Sequence, residues 1–586
     1  MGIVLRPCRA VRRCSSAFLA GSLLALLAPA APALTPAGAR HGMVVSSSAI
    51  ASQAGCDVLR RGGNAVDAAV AVGFALAVTH PAAGNLGGGG FMLIRLADGR
   101  CEALDYRETA PGAATRDLYL DAAGQVIPGA STRGPRSAGV PGTVAGLAIA
   151  RERWGTRPLA ELLAPAIQLA RRGFPVSYDF YCSVAEEDSG QALTDFQRFP
   201  TSARVFLRRG RALLPGDTLR QPDLARTLER IARGGPAEFY RGTTARQIVA
   251  AMRRDGGLLT LADLAGYRPR VREPLTGEYR GCRIYTMPPP SSGGIVLLGL
   301  LHAIEPDSVR AMGHNSVAFI HRFAELCDRY FADRAWCMGD PDFVAMPVAA
   351  LASREYAARV RAELDTLRHR PARTVAHGDS VWLWARARAE PRETTHFSVV
   401  DRWGNAVSNT YTLNDGFGSR YVVEGAGFLL NDEMDDFSVK PGVPNLYGLV
   451  GGSANAIAPG KRMLSSMTPT IVTRGGRLFL VLGSPGGSRI ITSVCQTIIN
   501  VVDHGMNIQD AVAAARVHAQ WLPDQLSLEP LGFPREVERA LEARGHDLDT
   551  SYGFWGAVHA IEVDERRGLL LGAADPRSAD GAAVGY

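Results

Sequence analysis

The sequence contains almost no lysine. Of its 64 basic residues only Lys440 and Lys461 are lysines, so arginine carries nearly all of the positive charge. The formal net charge of +7 falls to about +3 without residues 1–33, because that stretch holds four arginines and no acid. No run of Lys and Arg exceeds three residues, unlike the basic tracts that bind nucleic acid. We therefore expect no nucleic-acid partner.

Cysteine is scarce and follows no pattern. Seven of the nine cysteines lie beyond residue 33: Cys56, Cys101, Cys182, Cys282, Cys327, Cys337 and Cys495. An odd number of widely spaced cysteines without a C-x-x-C pair predicts neither a disulfide framework nor a zinc site. Isolated thiols are expected, with a Cys327–Cys337 pair left open. No metal and no cofactor are predicted.

Long apolar runs are missing except near the amino terminus. There a basic stretch precedes the apolar residues 17–28, and Ala-Pro-Ala at 31–33 fits the small-x-small rule of signal peptidase sites. The apolar run is shorter than a membrane-spanning helix needs. These features predict a signal peptide over residues 1–33 and export to the periplasm or the medium. A mature chain without a membrane span is expected.

The remaining sequence predicts mixed secondary structure. Ser46–Ser48 offers an N-cap for a helix to Arg61, and Asn64 is suited to cap a second helix to about Val78. The second helix is apolar nearly all round, which predicts burial. Helices are expected again after residue 294 and near 489–503 and 508–516, and strands dominate from residue 394 onward. The order of helix, strands, strands and helix predicts a layered α+β fold.

Thr394 opens the most informative segment. Alternating apolar residues run from Thr394 through a Gly404-Asn405 turn to Leu413, a pattern typical of a β-hairpin, and residues 374–392 upstream are polar and weakly patterned. If the chain were cut before Thr394, the new α-amine would lie beside the threonine hydroxyl. Such an amine, with a pKa of about 8, can accept the hydroxyl proton and activate the oxygen as a nucleophile.

Motifs along the chain extend this pattern. The stretch E-T-T-H-F-S-V-V-D at 393–401 resembles the processing site of the γ-glutamyltransferases (γ-glutamyltranspeptidases), which are N-terminal-nucleophile hydrolases. Further matches follow in the family's order: G-N-A-V-D-A-A at 63–69, G-N-L-G-G-G-G-F at 84–91, D-Y-R-E at 105–108, M-P-P-P-S-S-G-G at 287–294, Y-T-L-N at 411–414, N-D-E-M-D-D-F at 431–437, L-S-S-M at 464–467, G-S-P-G-G-S-R at 483–489 and D-P-R-S at 575–578.

The resemblance implies a four-layer αββα sandwich formed by two chains after self-cleavage. Cleavage between Glu393 and Thr394 would give a large subunit of residues 34–393 and a small catalytic subunit of residues 394–586. The two subunits are expected to form one interleaved globule.

The resemblance also assigns catalytic roles. Thr394 is the expected nucleophile, both in self-cleavage and in attack on a γ-glutamyl amide. Thr412 is expected to hydrogen-bond the nucleophile's amine. Gly486 and Gly487 precede a helix start near Ser488, where backbone N–H groups can form an oxyanion hole.

Substrate recognition is assigned to charged and polar residues. Asn414, Glu433 and Asp436 are expected to bind the α-ammonium of a glutamyl donor. Arg107 is expected at the other end of the ligand, where its planar guanidinium matches the α-carboxylate. The hydroxyls of two further residues, Ser465 and Ser466, are expected in the same carboxylate pocket. Met463 stands where relatives often carry a proline.

Two glycine-containing loops have different expected roles. Residues 441–455 around Tyr447 resemble a lid loop over the glutamyl pocket, and such loops gate water access. The four glycines at 87–90 lack the strand, helix and acidic or Gly-Lys context of a phosphate-binding loop. For these glycines a tight backbone crossing near the core is predicted.

The leading functional prediction is an exported, self-processing γ-glutamyltransferase and glutathione hydrolase. It would take the γ-glutamyl group from glutathione or other γ-glutamyl compounds and pass it to water, an amino acid or a peptide. One alternative is a cephalosporin or glutaryl acylase on the same fold, against which the predicted ammonium-binding cluster argues. A catalytically silent secreted binding protein is a second alternative, against which an intact Thr394 argues.

Overall fold

The hairpin predicted after Thr394 forms the centre of the structure. In the computed structural model, which describes residues 2, 34–185, 191–375, 394–551 and 553–586, the antiparallel strands Thr395–Val400 and Ala406–Thr412 pair with Thr395 opposite Tyr411. The Asp401 carboxylate accepts hydrogen bonds from the backbone N–H groups of Trp403 and Asn405 in the turn. Gly404 has a φ of +86°, a conformation that favours glycine. The predicted hairpin is confirmed.

The hairpin lies in the middle of a seven-stranded sheet, which we call sheet 2. Its strands, in spatial order, are Ala582–Gly585, Met43–Ser46, Thr395–Val400, Ala406–Thr412, Gly89–Arg95, Cys101–Asp105 and Arg270–Arg272. All neighbouring strands in this sheet are antiparallel. Strands from before and after Thr394 therefore share sheet 2, and Met43–Ser46 lies between two strands that follow Thr394.

A second seven-stranded antiparallel sheet, sheet 1, packs against it. Its strands are Ala37–Ala39, Leu569–Ala574, His559–Asp564, Arg477–Gly483, Thr470–Arg474, Cys282–Thr286 and Leu275–Tyr279. Serine hydroxyls join the two sheets: Ser398 Oγ donates to the His559 carbonyl at 2.9 Å, and Ser408 Oγ donates to the Leu482 carbonyl at 2.9 Å. The two bonds provide hydrogen-bond partners for polar groups that are buried between the sheets.

Helices cover the outer face of sheet 2. Ala49–Arg60 begins at the N-cap Ser48, and Asn64 caps Ala65–Thr79 through a capping box with Asp67. Every residue of Ala65–Thr79 is buried, as its uniformly apolar sequence predicted. The neighbouring helices are Thr143–Trp154, Leu159–Arg172, Tyr178–Ala185, Gln191–Arg198, Pro200–Phe206, Pro222–Gly234, Pro236–Arg241, Thr243–Asp255 and Leu261–Gly266.

A second helical layer covers sheet 1. Gly293–Ile304, Val317–Cys337 and Arg489–Val502 share one apolar core with this sheet. The other helices that follow residue 304 are Val309–Met312, Val348–Leu351, Arg354–Ala362, Ile508–Ala513 and Arg535–Glu542. The order of layers is therefore helix, sheet, sheet, helix, and the predicted αββα sandwich is confirmed.

Short strand pairs lie outside the two main sheets. They are Phe174–Pro175 with Thr218–Leu219, Leu207–Arg208 with Arg211–Ala212, and a three-stranded group of Val517–His518, Leu526–Leu528 and Leu548–Asp549. The last group lies in the chain segment that follows Arg489–Val502.

The glycines at 87–90 lie in a tight backbone crossing, as predicted. A Cβ on Gly87 would lie 2.1 Å from the Leu429 carbonyl oxygen, and one on Gly88 would lie 2.0 Å from the Thr412 carbonyl oxygen. No larger residue fits these positions without moving backbone. The seven cysteines of the described ranges are free thiols, so Cys327 and Cys337 do not pair.

Pro36–Tyr586 form one compact unit. Among the described residues, no helix has the length and apolar character needed to cross a membrane. Three features of the sequence analysis lie outside the described residues: the predicted signal peptide apart from Gly2, the connection at 376–392, and Glu393.

Candidate active site

Thr394 lies at the start of its strand and points its hydroxyl at Thr412. Thr394 Oγ1 donates to Thr412 Oγ1 at 3.2 Å, and the backbone N–H of Asn414 donates to the same Thr412 oxygen at 2.9 Å. This pairing follows from the hairpin, since the register that places Thr395 opposite Tyr411 places Thr394 opposite Thr412. Thr412 therefore orients the Thr394 oxygen directly.

The next threonine faces a different environment. Thr395 Oγ1 donates to Ser47 Oγ at 2.9 Å, and Ser47 Oγ lies 2.9 Å from His559 Nε2. Alternate residues of a strand point to opposite faces, so only one of the two adjacent threonines can face the cavity described next. That residue is Thr394.

A cavity with about 280 Å³ of empty space, part of it open to solvent, borders Thr394. Most of the predicted site residues meet there. Its lining consists of Arg107, Thr394, Thr412, Asn414, Asp436, Tyr447, Leu449, Ser465, Ser466, Met467, Gly487 and Ile490. Glu433 and Gly486 are not among these lining residues, but Glu433 contacts Arg107 and Gly486 precedes Gly487. The cavity thus combines a nucleophile, a cation, an acid and several hydroxyls.

Arg107 is buried and bonded to acidic residues. Its Nη1 lies 2.5 Å from Glu433 Oε2, and its Nη2 donates a short hydrogen bond to Asp436. Its Nε donates to the Met463 carbonyl at 3.3 Å. These partners fix the plane of the guanidinium at the cavity wall.

Three carboxyl groups lie around Arg107. Glu108, Glu433 and Asp436 surround its guanidinium. Burial raises the pKa of Glu433 well above its ordinary value, and the charge of Arg107 opposes that rise. Burial likewise raises the pKa of Glu108, to about 8. An ammonium group bound beside these carboxyl groups would favour their ionised forms.

One part of the sequence reasoning is wrong. It placed Arg107 at the opposite end of the ligand from Glu433 and Asp436, whereas the structure brings the three side chains into direct contact. Chemistry explains the contact, because the α-ammonium and α-carboxylate of a glutamyl group are attached to the same carbon. Groups that bind them must therefore lie side by side.

Ser465 and Ser466 both line the cavity, and a further arginine supports them. Arg334 Nη2 donates to Ser466 Oγ at 3.3 Å, and Arg334 Nε donates to Ser292 Oγ at 3.0 Å. Burial lowers the pKa of Arg334, to about 10. The sequence reasoning missed Arg334, since an arginine inside a long helix carries no motif that marks it.

Gly486 and Gly487 adopt positive φ values of 120° and 53° just before the helix Arg489–Val502. A Cβ on Gly487 would lie 2.5 Å from the ring of Tyr447. Glycine is therefore required at position 487 by both the backbone and the packing. The helix start places partial positive charge close to the Thr394 side of the cavity.

Tyr447 lines the cavity. Its hydroxyl donates to the Asn414 carbonyl at 2.5 Å, and its own carbonyl accepts from Gln520 Nε2 at 3.1 Å. Asn445 Nδ2, in the same loop, donates to Asp436 Oδ1 at 3.1 Å. The loop predicted as a lid is thus bonded to the residues that it covers.

The sequence of this chain matches a known family along nearly its whole length. The family model described as gamma-glutamyltranspeptidase matches residues 51–585. The chain belongs to the γ-glutamyltranspeptidase family.

Individual proteins of the γ-glutamyltranspeptidase family are also similar to this chain over nearly all of their length. The glutathione hydrolase proenzyme of Escherichia coli is 46% identical, with 100% of both chains covered. The glutathione hydrolase proenzyme of Pseudomonas aeruginosa is 48% identical over 92% of this chain and 93% of that protein. A solved cephalosporin acylase from Bacillus halodurans has a TM-score of 0.80 at 29% identity and covers 96% of this chain and 98% of its own.

Proposed function

We propose that this chain is a self-processing γ-glutamyltransferase and glutathione hydrolase. One observation carries the proposal: the Thr394 hydroxyl, oriented by Thr412, borders the same cavity as Arg107 and Asp436. A nucleophile therefore borders the same cavity as a cation and an acid that can bind the carboxylate and the ammonium of an α-amino acid. The family membership supports the same reading.

The first reaction is cleavage of the precursor. The Thr394 oxygen attacks the Glu393 carbonyl carbon, the amide C–N bond breaks, and the acyl group moves to the oxygen as an ester. Water hydrolyses that ester, which leaves a carboxylate on Glu393 and a free α-amine on Thr394. The products are a large subunit of residues 34–393 and a small subunit of residues 394–586.

The second reaction is transfer of a γ-glutamyl group. The new α-amine accepts the hydroxyl proton while the Thr394 oxygen attacks the γ-carbonyl of the donor, and the leaving amine departs with a proton. Backbone N–H groups of Gly486 and Gly487 are proposed to bind the oxyanion that forms. Water or an acceptor amine then releases the glutamyl group from Thr394.

Recognition of the donor is assigned to the charged wall of the cavity. Arg107, with Ser465 and Ser466, would bind the α-carboxylate, and Asp436, Glu433 and Asn414 would bind the α-ammonium. The three carboxyl groups around Arg107 support an ammonium ligand, because each of them can accept a hydrogen bond from it. Glutathione carries both of these groups on its γ-glutamyl end, and it is our proposed donor.

A cephalosporin or glutaryl acylase is the second candidate, because a solved acylase shares the fold over nearly the whole chain. A glutaryl side chain lacks the α-ammonium, so it would leave Asp436 and Glu433 without a cationic partner. The charge of the cavity therefore favours γ-glutamyl donors. We further propose that residues 1–33 direct export to the periplasm or medium.

The processing proposal is tested with two adjacent threonines. Thr394→Ala should remain a single uncut chain, whereas the matched control Thr395→Ala should still be cut, because the Thr395 hydroxyl bonds to Ser47 and not to Thr412. Denaturing gel electrophoresis and amino-terminal sequencing of the small fragment give the result. A small fragment that begins at any residue other than Thr394 would contradict the proposal.

The donor proposal is tested with two anilides. A γ-glutamyl anilide should be cleaved, and added glycylglycine should increase the rate if transfer occurs. A glutaryl anilide should be cleaved much more slowly. Faster cleavage of the glutaryl compound would favour the acylase.

A further inference from the structure

A second cluster of ionisable side chains lies away from the Thr394 cavity and shares no residue with it. Its members are His321 and Glu325 on the helix Val317–Cys337 and His546, which follows the helix Arg535–Glu542. The positions i and i+4 place His321 and Glu325 on one face of their helix. One ligand atom from each of the three residues lies within 4.8 Å of the other two.

Hydrogen bonding determines where His321 carries its proton. His321 Nε2 lies 2.9 Å from the Asp365 carbonyl oxygen, and a carbonyl oxygen only accepts. Nε2 therefore donates, and Nδ1 of the neutral ring is left with its lone pair toward His546 Nε2 at 2.7 Å. A backbone carbonyl that holds one ring N–H while the other nitrogen faces a shared centre is the arrangement found at histidine metal ligands.

All three side chains of the cluster are buried, so two imidazoles and one carboxyl group face one another away from solvent.

The distances require only a small adjustment. Zn–N bonds of about 2.0–2.1 Å in a tetrahedral site place two nitrogens about 3.3 Å apart, so the His321–His546 pair would have to open by about 0.6 Å. A cavity with about 190 Å³ of empty space, part of it open to solvent, borders His546 and Asp328. On binding of the ion, the His546 proton would move from Nε2 to Nδ1, so that the Nε2 lone pair could ligate the metal.

Other charges face the same place. His369 Nδ1 donates to Glu325 Oε1 at 2.7 Å, its Nε2 donates to Asp524 Oδ1 at 2.9 Å, and its ring lies 4.6 Å from that of His546. Arg370 also donates to Glu325, at 3.0 Å. A bound dication would therefore compete with the positive charge that His369 and Arg370 supply to Glu325.

We propose that His321, Glu325 and His546 form a binding site for one divalent transition-metal ion of the Zn²⁺ type. Two imidazoles and a carboxylate are a known zinc ligand set that leaves a fourth position for water, and imidazole ligands select Zn²⁺ over Mg²⁺. The site joins a helix that precedes Thr394 to a turn that follows it. Its role is to fasten these two segments together, not to act on the substrate.

The test uses the processed enzyme after dialysis against a chelator. Zn²⁺ should bind with a stoichiometry of one by calorimetry and should raise Tm, whereas Mg²⁺ should do neither. His546→Gln should weaken Zn²⁺ binding by at least about 10-fold and abolish the rise in Tm. The matched control is His504→Gln, which disrupts the other histidine pair, His314 and His504, whose ring centroids lie 5.2 Å apart. The control should bind Zn²⁺ as the parent does.

A second variant keeps the test decisive if His546→Gln does not fold. Glu325→Gln retains the shape of the side chain and should weaken Co²⁺ binding and alter the visible spectrum of the Co²⁺ complex. Equal Zn²⁺ affinity in the parent and either variant would overturn the proposal and indicate adventitious binding. Absence of stoichiometric binding to the parent would overturn it as well.

Discussion

Arg107 is the residue whose alteration tests the donor site most directly. In Arg107→Lys a single ammonium replaces a guanidinium whose Nη1 and Nη2 contact Glu433 and Asp436 separately and whose Nε reaches the Met463 carbonyl. Lysine keeps the charge, but it cannot present two parallel N–H donors to a carboxylate. The variant therefore tests the geometry of the N–H donors at position 107 while the positive charge is kept.

The expected loss is at least one charged hydrogen bond to the donor carboxylate. Such a bond is worth roughly 1.5–3 kcal/mol, which corresponds to a fall in kcat/KM of about 10- to 150-fold. The loss should appear mainly in KM, because the α-carboxylate does not change during the reaction. Self-cleavage should survive, since the precursor's scissile bond carries no free α-carboxylate for Arg107 to bind.

The assay measures kcat and KM for a γ-glutamyl anilide with the parent enzyme, with Arg107→Lys and with the control Arg100→Lys. Arg100 pairs with Asp98 at the surface, where its side chain is 67% exposed, and its replacement should leave both constants unchanged. An unchanged KM in Arg107→Lys, with normal processing, would refute the assignment of Arg107 to the α-carboxylate.

Three further predictions concern the lid, the acid cluster and pH. Asp436→Asn should lower kcat/KM for γ-glutamyl donors about 10- to 150-fold but that for glutaryl donors far less, and an equal loss for both would assign Asp436 to the fold. Tyr447→Phe removes the hydrogen bond to Asn414 and should open the lid about 2- to 10-fold more often, seen as a changed ratio of transfer to hydrolysis. Burial lowers the pKa of His559 from 6.5 to about 4, so between these values the unfolded state binds more protons and stability falls as pH falls. Urea unfolding should therefore show that His559→Gln makes the loss of stability between pH 7 and pH 4 smaller than in the parent, by on the order of 3 kcal/mol.

Local patterns predicted the structure well where the decisive contacts are local. The Ser48 and Asn64 caps, the hairpin after Thr394 and the burial of Ala65–Thr79 were each confirmed. In these cases a few consecutive residues determine the cap, the turn or the apolar face. The four-layer arrangement came from the family resemblance, since pairing between distant strands leaves no local signature.

The arrangement of charges around the site was less predictable. Contact between Arg107 and the two acids at 433 and 436 joins residues more than 300 positions apart. Arg334 supports Ser466 from a helix that carries no motif. The cluster of His321 and Glu325 with His546 likewise depends on a long-range contact, so the spacing rules for metal ligands had no pattern to detect.

The mixing in sheet 2 of strands from before and after Thr394 has a consequence for the lifetime of the mature protein. Before cleavage, all strand pairings form within one chain, where the partners are held at high effective concentration. After the proposed cleavage at Thr394, the strand Thr395–Val400 would lie between Met43–Ser46 of one product and Ala406–Thr412 of its own. Denatured and separated products would each expose unpaired strand edges, which favour aggregation over reassembly. The durability of the mature form is thus set by its rate of unfolding, because maturation removes the covalent connection that allowed it to fold.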